Sequence, residues 1–248
     1  MSITRNDIKH IRSLQQKKYR KQFGEFVVEG VKPVEELLRS EIEVKQVFVL
    51  ESQANAFGEC QPEIVSQKDM ERMSGLSSAP GVLAWCREKA WSVPEFDGVT
   101  LVLDEIRDPG NFGTLVRSAE WFGIRQMVCM PGGVDIWHPK VVQSAMGSIF
   151  RMPVMFMEAE ELKNHLAHAG IPVYAADMGG QSIEKFQASA KCAIVIGSES
   201  HGLSTFWREQ ADAIISIPGG SGTESLNAAV AGSILMWKLF EGQLRAEH

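Results

Sequence analysis

Three places in this chain set polar side chains that could do chemistry against otherwise apolar stretches. Ser225 and Asn227 stand between a loop of Gly219, Gly220, Ser221, Gly222, Thr223 and Glu224 and an apolar run over 228–240. Glycines in such a loop let backbone approach a ligand closely. The free amides and dipole at the start of a following helix favour an anionic group such as a carboxylate. Arg117 lies in a segment otherwise filled by Leu115, Val116, Ala119, Trp121 and Phe122. From there an arginine can snorkel to an edge, or share with Thr114 and Trp121 one helix stripe that lines a site. The third place is Gly197-Ser198-Glu199-Ser200-His201-Gly202-Leu203-Ser204. Its glycine spacing is that of a phosphate loop without the lysine, which disfavours ATP. Glu199 stands where a nucleophile elbow would carry serine. An NAD- or flavin-binding protein is disfavoured too, because no Gly-x-Gly-x-x-Gly turn opens the domain. His165 and His168 have no third ligand nearby in sequence, so no metal site is expected.

Each polar cluster adjoins a run that reads as a strand. Ala213-Ile214-Ile215-Ser216-Ile217 is stopped by Pro218, which removes a donor and fixes φ. Val99-Thr100-Leu101-Val102-Leu103 and Cys192-Ala193-Ile194-Val195-Ile196 are apolar enough to be buried on both faces. Asn111 suits the N-cap of a helix over 112–122, which Gly123 closes, and Ser225 suits the cap of the last helix. That last helix is apolar all round, so the core or a partner subunit must close around it. Strands over 126–130 and 171–176 and a surface helix over 158–169 complete an alternating α/β pattern. Upstream, Trp91-Ser92-Val93-Pro94-Glu95-Phe96-Asp97-Gly98 reads as a linker. Before it, Ile8, Ile11 and Leu14 keep helical spacing in one amphipathic helix over 2–23. Its basic face would carry Lys9, Lys17, Lys18, Arg20 and Lys21. Strands over 25–30, 44–50, 64–65 and 81–86, with helices over 31–40 and 68–74, make a small α/β unit.

A chain of 248 residues with 44% hydrophobic content can bury one large core or two small ones. The net charge of −6 argues against a protein that coats nucleic acid, which leaves a local basic patch as the place for phosphate contacts. Four cysteines without Cys-x-x-Cys spacing fit reduced thiols in a cytoplasmic protein. The first residues have no apolar core for a signal peptide, and no run is long enough to cross a bilayer.

In chain order, Asn111, Gly113, Arg117 and Gly123, then Gly197, Glu199 and Gly202, then Ile217-Pro218 with Ser225-Leu226-Asn227 fall in the register of three motifs. They resemble those of the SpoU (TrmH-type) RNA ribose 2′-O-methyltransferases of the SPOUT superfamily. The stretch over 137–150 is also similar, and residues 1–89 resemble the L30e-like domain that precedes the catalytic one in many of these enzymes. The resemblance implies an α/β fold: a parallel sheet with a carboxy-terminal trefoil knot, preceded by a small L30e-like α/β domain. It divides the chain into an RNA substrate-binding domain over 1–90, a linker over 91–98 and a catalytic domain over 99–248. It implies that S-adenosylmethionine is held at Gly197, Gly202, Ile217, Pro218 and Leu226, with Asp177 near. It implies a catalytic set of Asn111, Arg117, Glu199, Ser225 and Asn227 and structured RNA as partner, while the all-round apolar last helix predicts a homodimer. Ribosomal RNA is favoured over tRNA, because the small amino-terminal domain accompanies rRNA enzymes in the family. The chain departs from the family where Met usually follows Ile-Pro and glycine comes two positions later; here those places hold Gly219 and Ser221. The alternative is an RNA-binding or assembly protein of the same fold with weak or lost methyl transfer.

Overall fold

The computed structural model describes residues 3–92, 95–220 and 225–246, without the side chains of 242–246. The chain packs as two units, residues 1–90 with 135–151, and residues 91–134 with 152–248.

In the first unit the basic segment is two helices, α1 (Arg5–Ser13) and α2 (Lys17–Phe23), where the sequence predicts one. Thr4 and Asp7 form a capping box that starts α1, and Gly24 ends α2 in the left-handed region at φ 63°. Ile8, Ile11 and Leu14 are buried, as their spacing requires, against Val27, Phe48 and Leu83. Those three residues belong to the strands β1 (Glu25–Glu29), β2 (Val44–Val49) and β4 (Val82–Arg87), which with β3 (Glu63–Ile64) form a sheet ordered β1-β4-β2-β3. Helices α3 (Val31–Leu38) and α4 (Gln67–Met73) complete the predicted elements.

The remaining elements in chain order are β5 (Val99–Asp104), α5 (Pro109–Trp121), β6 (Gln126–Cys129), α6 (Pro139–Ser144), β7 (Val154–Phe156), α7 (Ala159–His168), β8 (Val173–Ser182), β9 (Cys192–Gly197), α8 (Thr205–Gln210), β10 (Ala213–Ser216) and α9 (Ala228–Ala246). The segment containing α6, which the sequence reading places in the catalytic domain, packs instead with the first unit. Trp137 stacks on Phe26 with ring centroids 4.1 Å apart.

The second unit is an α/β fold around a six-stranded sheet ordered β10-β8-β9-β5-β6-β7, in which every neighbouring pair is parallel. Parallel strands all open at one edge, so their following loops share one rim. Strand β5 feeds α5 and then β6 on one side, whereas the adjacent β9 feeds α8 and then β10 on the other. Their ends therefore flank a switch point, where an open α/β sheet leaves a crevice. Strand β8 runs longer than predicted. Its register with β10 jumps from Ala175↔Ile214 to Gln181↔Ile215, so residues 176–180 stand out of the ladder.

Two predicted caps are corrected. Helix α5 begins at Pro109, and Asp108 caps it by accepting from the Asn111 amide at 2.8 Å, which makes Asn111 an interior residue of the first turn. Helix α9 is capped by Asn227, whose Oδ1 accepts from the amides of Ala229 and Val230, while Ser225 makes no such bond among the described residues. Nor is α9 covered on all sides within the chain. Leu235 and Met236 are buried, but Val230, Ile234 and Trp237 form an exposed stripe, Trp237 at 50%. Loop residues 221–224, which include Ser221 and Gly222, and linker residues 93–94 lie outside the described set.

Candidate functional site

Around the switch point, three side chains from three loops are joined. The Asn227 Oδ1 that caps α9 faces two backbone N–H groups, at 3.0 and 3.2 Å, so its amide orientation is fixed. Its Nδ2 therefore donates to Asn111 Oδ1 at 3.0 Å. That in turn leaves Asn111 Nδ2 to donate to the Glu199 carboxylate. One helix cap thus sets the direction of the whole chain of bonds, from α9 through α5 to the loop after β9.

The loop carrying Glu199 is held at both ends. Ser198 and Gly202 exchange backbone hydrogen bonds at 3.0 and 2.9 Å, closing a tight turn with Gly202 at φ 66°. A Cβ on Gly197 would collide with the Gly202 backbone, so glycine is needed for that close approach. Beyond the turn, the Ser204 amide donates to Asp104 Oδ2 at 2.6 Å. Burial raises the Asp104 carboxyl above its ordinary value, and the hydrogen bonds from Ser204 offset part of that rise. Sequence reasoning did not single out Asp104. Its signal was an acid ending an otherwise apolar strand beside a glycine loop.

Arg117 is on the exposed face of α5, opposite the buried Leu115, Val116 and Ala119. Thr114 and Trp121 share its exposure, Trp121 at 81%. Arg117 makes no hydrogen bond or ion pair with another described residue, and the structure does not link it to Asn111 or Glu199 beyond their common helix and rim. The buried face of α5 meets α9 closely: a Cβ on Gly232 would strike Leu115, and Ser118 and Ser233 share a hydrogen bond of 2.8 Å.

Other predicted residues lie along the same rim. Ile217 and Pro218 directly follow β10, and Gly219 and Gly220 are exposed with no amide partner among the described residues. Ser225 and Leu226 are exposed as well. Asp177 stands in the excursion of β8 and pairs with Arg208 at 3.1 Å, a partner the sequence did not suggest.

In the first unit, Lys9, Lys17, Lys18 and Lys21 are exposed and make no ion pair among the described residues. Arg20 is the correction: it is 1% exposed and does not belong to that face. Its Nε and Nη2 donate to Asp135 Oδ2 at 3.0 and 2.7 Å, and its Nη1 donates to the Leu14 carbonyl at 2.7 Å. A charge run cannot reveal that one member turns inward, because the acid that receives it lies far along the sequence. Among the described residues no cluster of His, Cys, Asp or Glu could hold a metal, and no helix is long and apolar enough to cross a membrane.

Comparison with known proteins adds relatives of full length. The chain is 28% identical to the 23S rRNA (guanosine(2553)-2′-O)-methyltransferase RlmP of Bacillus subtilis, over 96% of this chain and 97% of that one. A solved structure from Porphyromonas gingivalis, assigned to the TrmH family of RNA methyltransferases, superposes with a TM-score of 0.88 at 31% identity, covering 96% of this chain and 98% of that one. An AdoMet-bound rRNA methyltransferase from Sinorhizobium meliloti superposes with a TM-score of 0.86 at 25% identity, over 97% and 96% of the two chains. Residues 5–84 match the MRM3-like substrate binding domain. Residues 98–237 match the SpoU rRNA Methylase family across more than half of the chain, and the protein belongs to that family.

Proposed function

We propose that this chain transfers a methyl group from S-adenosylmethionine to a ribose 2′-hydroxyl of ribosomal RNA. The observation that carries the reading is the directed chain Asn227–Asn111–Glu199, which fixes polar groups from three family motifs at one rim of the sheet. The cofactor fits the residues present. Exposed main chain at Gly219, Gly220 and Leu226, beside the tight turn of Gly197 and Gly202, suits a nucleoside read by backbone groups, with Ile217, Pro218 and Asp177 bordering it. When bound, it would supply an electrophilic sulfonium methyl for the ribose oxygen.

The chain's own groups then have separable tasks. A neutral hydroxyl is a weak nucleophile, so donors that steady its developing negative charge accelerate the step. Arg117, exposed and unpaired, takes the substrate phosphate and ribose oxygen. Its guanidinium presents only N–H donors, so it acts here as a donor. Asn111 orients Glu199 toward the ribose, and Asn227 positions Asn111. Ser225 borders the cofactor loop.

The wider architecture follows the same reading. Residues 1–90 act as an L30e-like RNA substrate-binding domain, 91–98 as linker and 99–248 as catalytic domain, of which 135–151 pack with the first unit. The carboxy-terminal segment is threaded as a trefoil knot, a rare topology supported here by the family match and by the seating of α9 on α5. The chain works as a homodimer in the cytoplasm. Four free cysteines support the compartment, and the apolar stripe of Val230, Ile234 and Trp237 supports the dimer. Trp237→Glu should convert the dimer to a 27.4 kDa monomer by light scattering. A wild-type chain that is already monomeric at micromolar concentration would contradict it. The test of the activity is a map of ribose methylations in rRNA from cells lacking the gene. One site should disappear and return with the wild-type chain but not with Asn111→Ala. An unchanged map overturns the reading.

A further inference from the structure

One surface of the first unit is built from aromatic rings and cations in contact, and its rings take no part in the proposed methyl transfer. At its base Glu25, 7% exposed, accepts from His10 Nε2 at 2.6 Å, Lys45 Nζ at 2.5 Å and Trp85 Nε1 at 2.9 Å. Burial alone would push the Glu25 carboxyl up; the hydrogen bonds from Lys45, His10 and Trp85 outweigh it and hold the carboxyl below its ordinary value. Lys45 Nζ also lies 3.7 Å over the Trp85 ring. The three donors are thus clamped on one carboxylate, and the His10 and Trp85 rings form a fixed floor. Outward from it, His10 meets Trp85 at 5.2 Å and the edge of Phe23 at 4.5 Å. Phe23 in turn lies nearly parallel to Tyr19, with centroids 6.3 Å apart and planes 10° from each other. Phe23 is 40% exposed at the end of α2, and Lys17, Lys18 and Lys21 stand exposed on the same helix.

A single exposed phenylalanine needs no explanation, but this one belongs to a continuous strip of ring contacts, anchored by the hydrogen bonds at Glu25 and flanked by exposed lysines. These lysines make no ion pair among the described residues, and one of them, Lys18, holds its Nζ 5.7 Å from the Tyr19 ring centroid. Flat rings beside such lysines are what an unstacked nucleobase and its flanking phosphates need. A partner protein's apolar contact would have no use for the cations. We propose that Phe23 and Tyr19 form a stacking platform for an unpaired base of the RNA substrate, with Lys17, Lys18 and Lys21 on its phosphates. The platform rests on the reading of the first unit as the RNA-binding part. It selects single-stranded or loop regions, because a base within a duplex offers no free face.

The test uses the full chain without cofactor, so it does not depend on methyl transfer. The probes are an RNA hairpin with 2-aminopurine in its loop and the same stem as a blunt duplex. Wild type should bind the hairpin more tightly and quench its fluorescence. Phe23→Ala should weaken hairpin binding roughly fivefold to a hundredfold, abolish the quench, and leave the salt dependence unchanged. Phe23→Trp should restore both. The Lys17→Ala/Lys18→Ala/Lys21→Ala variant should instead make the salt slope shallower while the quench persists at saturation. Equal hairpin affinity in wild type and Phe23→Ala, or an equal loss on the duplex, overturns the platform alone. A change of oligomeric state in Phe23→Ala without loss of RNA affinity reassigns the strip to a protein contact. Failure of wild type to bind either RNA overturns the platform together with the RNA reading beneath it.

Discussion

Arg20 in the first unit and Arg117 in the second both stand on helices, in sequence neighbourhoods that hide their difference. Arg20 comes from a basic run and reads as part of a solvated face; Arg117 comes from an apolar helix, from which it can snorkel to an edge or line a site. The structure reverses the first reading and puts Arg117 on an exposed helix face. Arg20 is 1% exposed, with its guanidinium occupied by Asp135 and the Leu14 carbonyl, whereas Arg117 is exposed and has no partner among the described residues. A charge taken out of water persists only where hydrogen bonds and an opposite charge replace the hydration. Arg20 therefore holds two segments of chain together. Arg117 keeps its donors available, and availability is what a substrate requires.

The largest effect that could break this contrast is on stability. Arg20→Ala leaves Asp135 partly buried without its cation, which should cost roughly 3–5 kcal/mol and lower the urea midpoint strongly. Arg20→Met with Asp135→Leu should recover much of the loss, since an apolar pair of similar volume replaces a buried ion pair at little cost. A single variant as stable as wild type would mean the pair contributes nothing. Next comes Arg117→Ala, with the opposite signature. Its stability should stay within about 0.5 kcal/mol of wild type, as for other surface substitutions. Its single-turnover methyl-transfer rate at saturating RNA should fall about 10²- to 10³-fold, the range for loss of a donor to a developing oxyanion. Calorimetry should find cofactor binding nearly unchanged. Normal turnover would reduce Arg117 to a surface charge.

Sequence was a good guide wherever one periodicity decided the outcome. The apolar runs that became β5, β9 and β10 and the Ile8, Ile11, Leu14 spacing of α1 are legible because burial of a strand or helix face is a local pattern. The motif residues were legible as a set, but their bonds were not. Asn111 lies 116 positions from Asn227 and 88 from Glu199, and sequence spacing says nothing of such encounters. The same distance hides the Arg20–Asp135 pair and the packing of residues 135–151 with the first unit. Cap positions failed for a different reason. Asp108, Asn111, Ser225 and Asn227 are all good cap residues, so residue type alone cannot choose among neighbours.

Asn227 sharpens the contrast between holding and acting, because under the proposed function one amide would do both. Asn227→Ala should cost about 1 kcal/mol through the lost cap and also slow methyl transfer. Asn227→Asp keeps an oxygen for the Ala229 and Val230 amides but removes the N–H that directs Asn111. It should therefore keep nearly wild-type thermal stability, while the single-turnover rate falls roughly tenfold, the scale of one lost hydrogen bond. If both variants lose stability and rate in parallel, the bond to Asn111 has no separate role.

The smallest expected effect returns to Arg20, where one cation faces two acids. Asp135 takes its hydrogen bonds, and the half-buried Glu88 stands nearby without sharing them. Burial raises the Glu88 carboxyl to about 7, Asp135 adds to the rise, and Arg20 and Lys21 only partly oppose it. In the unfolded chain the same group titrates near its ordinary 4.5. Between those values the folded state holds a proton that the unfolded state has released, so this group's contribution falls as pH rises. It is complete below pH 4.5 and lost above about 7. Because Glu88 is partly solvated, screening reduces the change to about 1 kcal/mol across that window. Glu88→Gln cannot release a proton, so the difference in urea midpoint between wild type and variant should drift steadily from pH 4.5 to 7, with wild type losing ground. Carboxylates with lowered values, such as Glu25, titrate alike in both proteins and cancel from the difference. A difference that stays flat over the window would mean that Arg20 serves both acids equally and that the Glu88 carboxyl is not raised in the folded chain.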